Sequence, residues 1–121
     1  MANTFKVVNF AAEPASAGTP YVMYTAGSGV TAIVLGLILS NIHTAQVTAS
    51  VNLVSDTANR AITNNTANGT SSIIKDAPIP VGGSLEIMAG NKVVLETTDH
   101  ITIDCSVADK VSGTLSIMEI T

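Results

Sequence analysis

The sequence predicts an all-β fold: one small antiparallel β-sandwich, jelly-roll-like, in a chain of 121 residues. Three observations predict it. Short runs rich in Val, Ile, Thr and Tyr recur at roughly ten-residue spacing, with Gly, Pro, Asn or Asp clusters between them, which is the pattern of a sandwich or barrel. No stretch combines a 3.6-residue apolar period with helix caps. Charged residues make up only 12% of the chain, about half of the usual ~25%. Solvated helices are laced with Glu, Lys and Arg; a β surface, or a surface covered by neighbours, is not. With no Trp, and with Phe5, Phe10, Tyr21 and Tyr24 as its aromatics, the core must be aliphatic.

Taken in order, residues 1–19 read as an N-terminal arm or as the first strand, and residues 20–121 as the sandwich domain. Residues 4–10 carry the apolar side chains Phe5, Val7, Val8 and Phe10, which need a surface to cover them. Glu13-Pro14 and Gly18-Thr19-Pro20 break regular structure over 11–19. Residues 20–25 form a second short strand, followed by the tight turn Ala26-Gly27-Ser28-Gly29.

Residues 30–39 organise the rest. Their odd positions, Ile33, Leu35, Leu37 and Leu39, are large and aliphatic, and their even positions are apolar but smaller. A strand between one core and water alternates apolar with polar, so this strand is expected to bury both faces. The large-residue face is assigned to the core. The face of Ala32, Val34, Gly36 and Ile38 is the candidate contact between copies in a homo-oligomer. A trimer is favoured, since Gly36 permits close approach about an axis. The alternative cover is the Pro-rich segment 77–83 of the same chain. The run is far short of the ~20 apolar residues of a membrane helix, so no membrane partner is predicted.

Residues 45–55 alternate Val47, Ala49, Val51 and Leu53 against Gln46, Thr48, Ser50 and Asn52, a half-buried strand. Following 30–39 directly, they are expected to pair with it as a long β-hairpin. Residues 56–70 read as an exposed loop, a candidate binding surface whose Asn64 and Asn68 begin glycosylation-type triplets. A short strand at 71–75 and a rigid connection at 77–83 follow, because proline lacks a ladder donor. Strands at 84–88 and 92–96 flank a turn at 89–91. Residues 100–107 alternate Ile101, Ile103, Cys105 and Val107 inward against His100, Thr102, Asp104 and Ser106, and 113–120 closes the chain.

Chemistry is sparse. The net charge is −4, and Lys6, Arg60, Lys75, Lys92 and Lys110 are scattered, so nothing tracks a phosphate backbone and no nucleic-acid partner is predicted. The single Cys105 excludes an internal disulfide and a cysteine-rich zinc site. It fits assembly in a reducing host bacterial cytoplasm, as does an N-terminus without a signal-peptide pattern. His43 and His100, with Asp99 and Asp104 near them in sequence, match no metal-ligand spacing. Glu86, Glu96, Asp99, Asp104, Asp109 and Glu119 fall on alternating strand positions and turns, where carboxylates solubilise. Gly27-Ser28-Gly29 and Gly82-Gly83 lack the lysine and helix of a phosphate loop. No nucleophile, base and orienting group form a set, so no catalytic, cofactor-binding or metal residue and no enzymatic activity is predicted.

Residues 77–101 (Ala-Pro-Ile-Pro-Val-Gly-Gly through Thr-Thr-Asp-His-Ile), residues 21–37 (Tyr-Val-Met-Tyr-Thr-Ala-Gly-Ser-Gly through Leu-Gly-Leu) and the terminal Leu-Ser-Ile-Met-Glu-Ile-Thr resemble small virion proteins of tailed bacteriophages, including cyanophages. The resemblance implies a structural protein of the virion and is silent on its place in the particle; the leading reading is a capsid decoration or cement protein. It would contact the major capsid protein or other virion proteins, with Phe5, Val7, Val8 and Phe10 as the capsid contacts. The alternatives are a neck, tail or fibre-base protein, or a receptor- or glycan-binding module.

Overall fold

All regular structure in the computed structural model, which describes residues 2–55, 69–88 and 92–121, is β-strand. The strands are β1 (Asn3–Glu13), β2 (Tyr21–Thr25), β3 (Thr31–Asn41), β4 (Val47–Val54), β5 (Thr70–Ile79), β6 (Ser84–Ile87), β7 (Val93–Leu95), β8 (His100–Cys105) and β9 (Val111–Ile120). One sheet runs β1-β9-β3-β6, with β7 also pairing with β3; the other runs β2-β8-β4-β5. All pairings are antiparallel. β1 pairs with β9, β2 with β8, β3 with β6 and β4 with β5. That nesting of first with last is a long antiparallel hairpin rolled into two sheets, the jelly roll. The expected loop at 56–70 and turn at 89–91 lie outside the described residues, apart from Gly69 and Thr70, where β5 begins.

The core lies between the sheets and is aliphatic, as the composition requires. Val47, Ala49 and Val51 of β4 and Ile101, Ile103 and Cys105 of β8 are buried, so both alternating strands face inward as read. They meet Leu115 and Ile117 of β9 and Leu37 and Leu39 of β3. Each Val, Leu or Ile among them, fully removed from water, contributes roughly 1.5–3 kcal/mol.

β3 departs from simple alternation, and the cause is a bulge. Val34 pairs with Ile117 and Gly36 with Ser116, which leaves Leu35 as an extra residue. Two residues then oppose one, and the strand's facing switches parity. Ala32 and Val34 point into the core before the bulge, and Leu37 and Leu39 after it; all four are 0% exposed. The division into a large odd face and a small even face is therefore corrected. Ala32 and Val34 cannot meet copies about an axis, because they are sealed inside their own domain, whereas Ile38 is 44% exposed.

The expected hairpin of β3 with β4 does not form. β3 belongs to one sheet and β4 to the other, because each strand has to turn its apolar face to the shared core. Asn41 fixes the crossing. Its buried Nδ2 donates to the carbonyls of Ala45, Ile79 and Pro80 at 3.0, 2.9 and 3.2 Å, and its Oδ1 accepts the His43 N–H at 2.7 Å. One amide thus satisfies four backbone groups that leave the ladders where the chain changes sheet.

β1 and β5 run furthest past the ends that their sequence suggests. β5 runs past residue 75 through Asp76, at φ 50°, and Pro78 to Ile79; Pro78 is tolerated because β5 is an edge. β1 runs through residues 11–13 past a register shift between Phe10 and Glu13.

Candidate interaction face

The alternation of a strand places each residue on the inner or outer face, and the register then aligns neighbours into rows. In the sheet built on β1, β9, β3 and β7, one outer row reads Phe5, Met118, Ile33, Val94. All four are apolar. Phe5 is 70% and Val94 53% exposed. The next row carries Val7 opposite Ser116, with Leu35 and Gly36 of the bulge beyond it. Val7 is 64% exposed, and no atom lies within 4 Å of where a Gly36 side chain would begin. The row after that holds Asn9, Thr114, Ile38 and Glu86, and Glu86 is the one charged side chain in these three rows.

Phe5, Val7, Val8 and Phe10 do not share a face. Phe5 and Val7 point outward. Val8 and Phe10 point inward and pack on the core, so their assignment as capsid contacts is corrected. The Phe10 ring lies edge-on to Tyr21, with centroids 5.2 Å apart at 65°, and passes over Gly113. A Cβ there would sit 2.5 Å from the ring, so only glycine lets Phe10 seat. Of Ala32, Val34, Gly36 and Ile38, only Gly36 and Ile38 reach the outer face. Reading the sequence alone missed Ile33, Val94 and Met118 as surface residues, because their placement depends on the bulge and on the register.

The inner face opens at one end, where a polar cluster closes it. Lys6 Nζ lies 2.7 Å from Glu119 Oε1, and the Tyr24 hydroxyl donates to Glu119 Oε2 at 2.5 Å. Hydrogen bonding from Lys6, then from Tyr24, holds the Glu119 carboxyl below its ordinary range. Burial, then the bond to Glu119, pushes the Tyr24 phenol up. β2 of one sheet is thereby tied to β1 and β9 of the other.

A shallow open depression of about 370 Å³ is lined by Thr48, Ser50, Asp76, Asp104 and Ser106, among others. Its groups are engaged in holding turns. Asp104 Oδ1 accepts the N–H of Gly18 and of Cys105 at 3.1 and 2.8 Å, and Asp76 Oδ1 accepts the Ser50 hydroxyl at 3.3 Å. His43 and His100 lie in separate turns: the N–H of His43 caps Asn41, and Nδ1 of His100 is 3.2 Å from the Thr98 carbonyl. Among the described residues, no three of His, Cys, Asp and Glu gather as metal ligands would.

No protein-family model and no curated protein matches the chain. Three solved structures align with it. A chain in the structure of infectious bursal disease virus Gx strain aligns with TM-score 0.53 and 13% identity, over 96% of this chain and 32% of that one; this chain thus spans about a third of it. A chain of the acidic stable capsid of Helicobacter pylori bacteriophage KHP30 aligns with TM-score 0.49 and 12% identity, over 100% and 89%. A chain of the Bacillus endospore appendages, described as a family of disulfide-linked pili, aligns with TM-score 0.47 and 16% identity, over 99% and 87%. The likeness to the bursal disease virus chain, at 13% identity, is one of fold alone.

Proposed function

We propose that this chain is a non-enzymatic structural protein of a virion, specifically a capsid decoration protein that binds the major capsid protein and stabilises the head. The observation that carries the reading is the outer row Phe5, Met118, Ile33, Val94, continued by Val7 and Ile38. A monomer in water gains nothing from an apolar row on its solvent side, and contiguous patches of this kind mark surfaces that are covered in use. Fold alone does not give function, but the jelly roll is an architecture of viral capsid domains and suits a small rigid block. Binding of such a block to an assembled shell stabilises the shell by mass action, since bound partners favour the folded, assembled state. The carboxylates of Asp76 and Asp104 in the depression take part in local hydrogen bonds, which supports a non-enzymatic reading.

The test is the amount of this protein in purified particles of the virus that encodes it, by quantitative mass spectrometry. The expected result is a copy number of the same order as that of the major capsid protein. A few copies per particle would move the protein to the neck, tail or fibre base. Absence from particles would overturn the virion reading.

A further inference from the structure

The free edge of β1 is built differently from every other edge among the described residues. Natural sheets blunt their edges with short strands, bulges, prolines or charges, because unpaired N–H and C=O groups recruit other strands. β6 and β7 have four and three residues. β2 has five and a register shift between Val22 and Tyr24. β5 carries Lys75, Asp76 at positive φ, Pro78 and two register shifts. β1 keeps one register against β9 from Asn3 to Phe10 without interruption, and holds no proline. Its lone charge in that stretch, Lys6, is neutralised by Glu119 at 2.7 Å on the inner face.

The hydrogen bonds show which backbone groups are free. Ala2 and Thr121 exchange both of their N–H to C=O bonds, at 3.1 and 3.0 Å. In an antiparallel ladder, hydrogen-bonded pairs alternate with non-hydrogen-bonded ones. The even residues Thr4, Lys6, Val8 and Phe10 therefore bond to β9. The odd residues Asn3, Phe5, Val7 and Asn9 aim their N–H and C=O groups away from it, at the free edge. These same four residues present their side chains on the outer face, in the order Asn, Phe, Val, Asn. Reversed, that order is Asn, Val, Phe, Asn: polar ends around an apolar centre in either direction.

We infer that β1 pairs antiparallel with β1 of a second copy, about a two-fold axis through Lys6. Asn3 then lies opposite the partner's Asn9, and Phe5 opposite the partner's Val7. Each of these is a hydrogen-bonded pair of the new ladder, because the odd residues supply the groups. An isologous contact needs a self-complementary strip, and the Asn-Phe-Val-Asn strip is one. The two Lys6 side chains face each other across the axis. Like charges there oppose pairing, and the Glu119 carboxylates offset them, one per copy. The outer apolar rows of the two copies become one continuous face. The inference adds a partner to the decoration reading and rests on that reading only for the use of the joined face.

The experiment is the solution mass of the full chain by light scattering and sedimentation, with two variants. The wild type is expected as a dimer of the 12.3 kDa chain. Val7→Pro deletes a donor on the free edge and none on the β9 side, so it is expected to keep the wild-type Tm in solution dilute enough for both to be monomeric, and to raise the dimer Kd about thirtyfold, the equivalent of two lost hydrogen bonds per dimer. Lys6→Cys is expected to cross-link to itself under mild oxidation, whereas Val22→Cys on the edge strand of the other sheet is not. A monomeric wild type, or a Val7→Pro chain that dimerises as the wild type does, overturns the pairing. A monomer found on particles overturns the pairing and leaves the virion reading standing; a dimer absent from particles does the reverse.

Discussion

The two outer faces of the sandwich offer a direct comparison. Across one sheet a row reads Phe5, Met118, Ile33, Val94; across the other, a row of the same length reads Val22, Thr102, Asn52, Ser72. Both rows sit on the same core and use the same strand geometry. Folding needs only the inner faces, which are both built mainly of aliphatic side chains. The second row is polar apart from Val22, and its Thr102 is itself covered within the chain. The apolar row is an excess that folding does not explain, and that difference points to what the protein touches. The edges repeat the lesson: β5 is broken by Lys75, Asp76 and Pro78, whereas β1 is open along residues 3–10.

The largest effect on this comparison should come from unseating β1. Gly113→Val puts a side chain where the Phe10 ring lies 2.5 Å from the Cβ position. A destabilisation of about 3 kcal/mol is expected from overpacking, read as a fall in the urea midpoint. Gly36→Ala, in open space on the outer face, is expected to change the midpoint little, which makes it the matched control.

Asn41→Ala should come next. It strips three carbonyls and one N–H of their partner at the crossing between sheets, at a cost of about 2 kcal/mol. Since Asn41 holds the carbonyls of Ile79 and Pro80, exchange at the end of β5 should rise while that of β1 stays unchanged.

Exchanging the character of the outer row should cost little stability. Phe5→Ser with Ile33→Thr is expected to shift stability by no more than about 1 kcal/mol, as surface changes do, yet to remove the chain from particles. Loss of folding along with binding would mean that the row supports the core, and the comparison between faces would fail.

The smallest effect is that of pH. The Glu119 carboxyl is held below its ordinary 4.5, so the folded state releases this proton more readily than the unfolded chain. The stabilisation is whole above 4.5 and is lost as pH falls through the lowered value. The Tyr24 phenol is raised above its ordinary 10.0, so its contribution is whole below 10.0 and declines as pH climbs beyond it. The urea midpoint should be flat between these limits. Glu119→Gln should remove this cluster's share of the acid decline, and Tyr24→Phe its share of the alkaline one.

Much of the fold was legible in the sequence, for physical reasons. β4 and β8 alternate cleanly because each has one buried face, and the low charge and aliphatic composition suffice for an all-β core. The bulge at Leu35 was not legible. Val-Leu-Gly-Leu reads the same whether or not one residue is left unpaired, and a shift of one position exchanges the faces of everything beyond it. Residues 42–46 were equally ambiguous, since a turn of that length serves a hairpin or a crossing between sheets. What decides is Asn41, whose three carbonyl partners are 4 to 39 residues away. The outer row could not be assembled from the sequence, because Phe5, Ile33, Val94 and Met118 meet only through the register.

Amide hydrogen exchange along β1, read residue by residue at rising protein concentration, tests the central claim most directly. The even amides of Thr4, Lys6 and Val8 bond to β9 and should be protected throughout. The odd amides of Phe5 and Val7 should exchange freely in dilute solution and become protected as copies associate. Phe5 and Val7 amides that stay unprotected at every concentration, while the even ones are protected, would contradict the account.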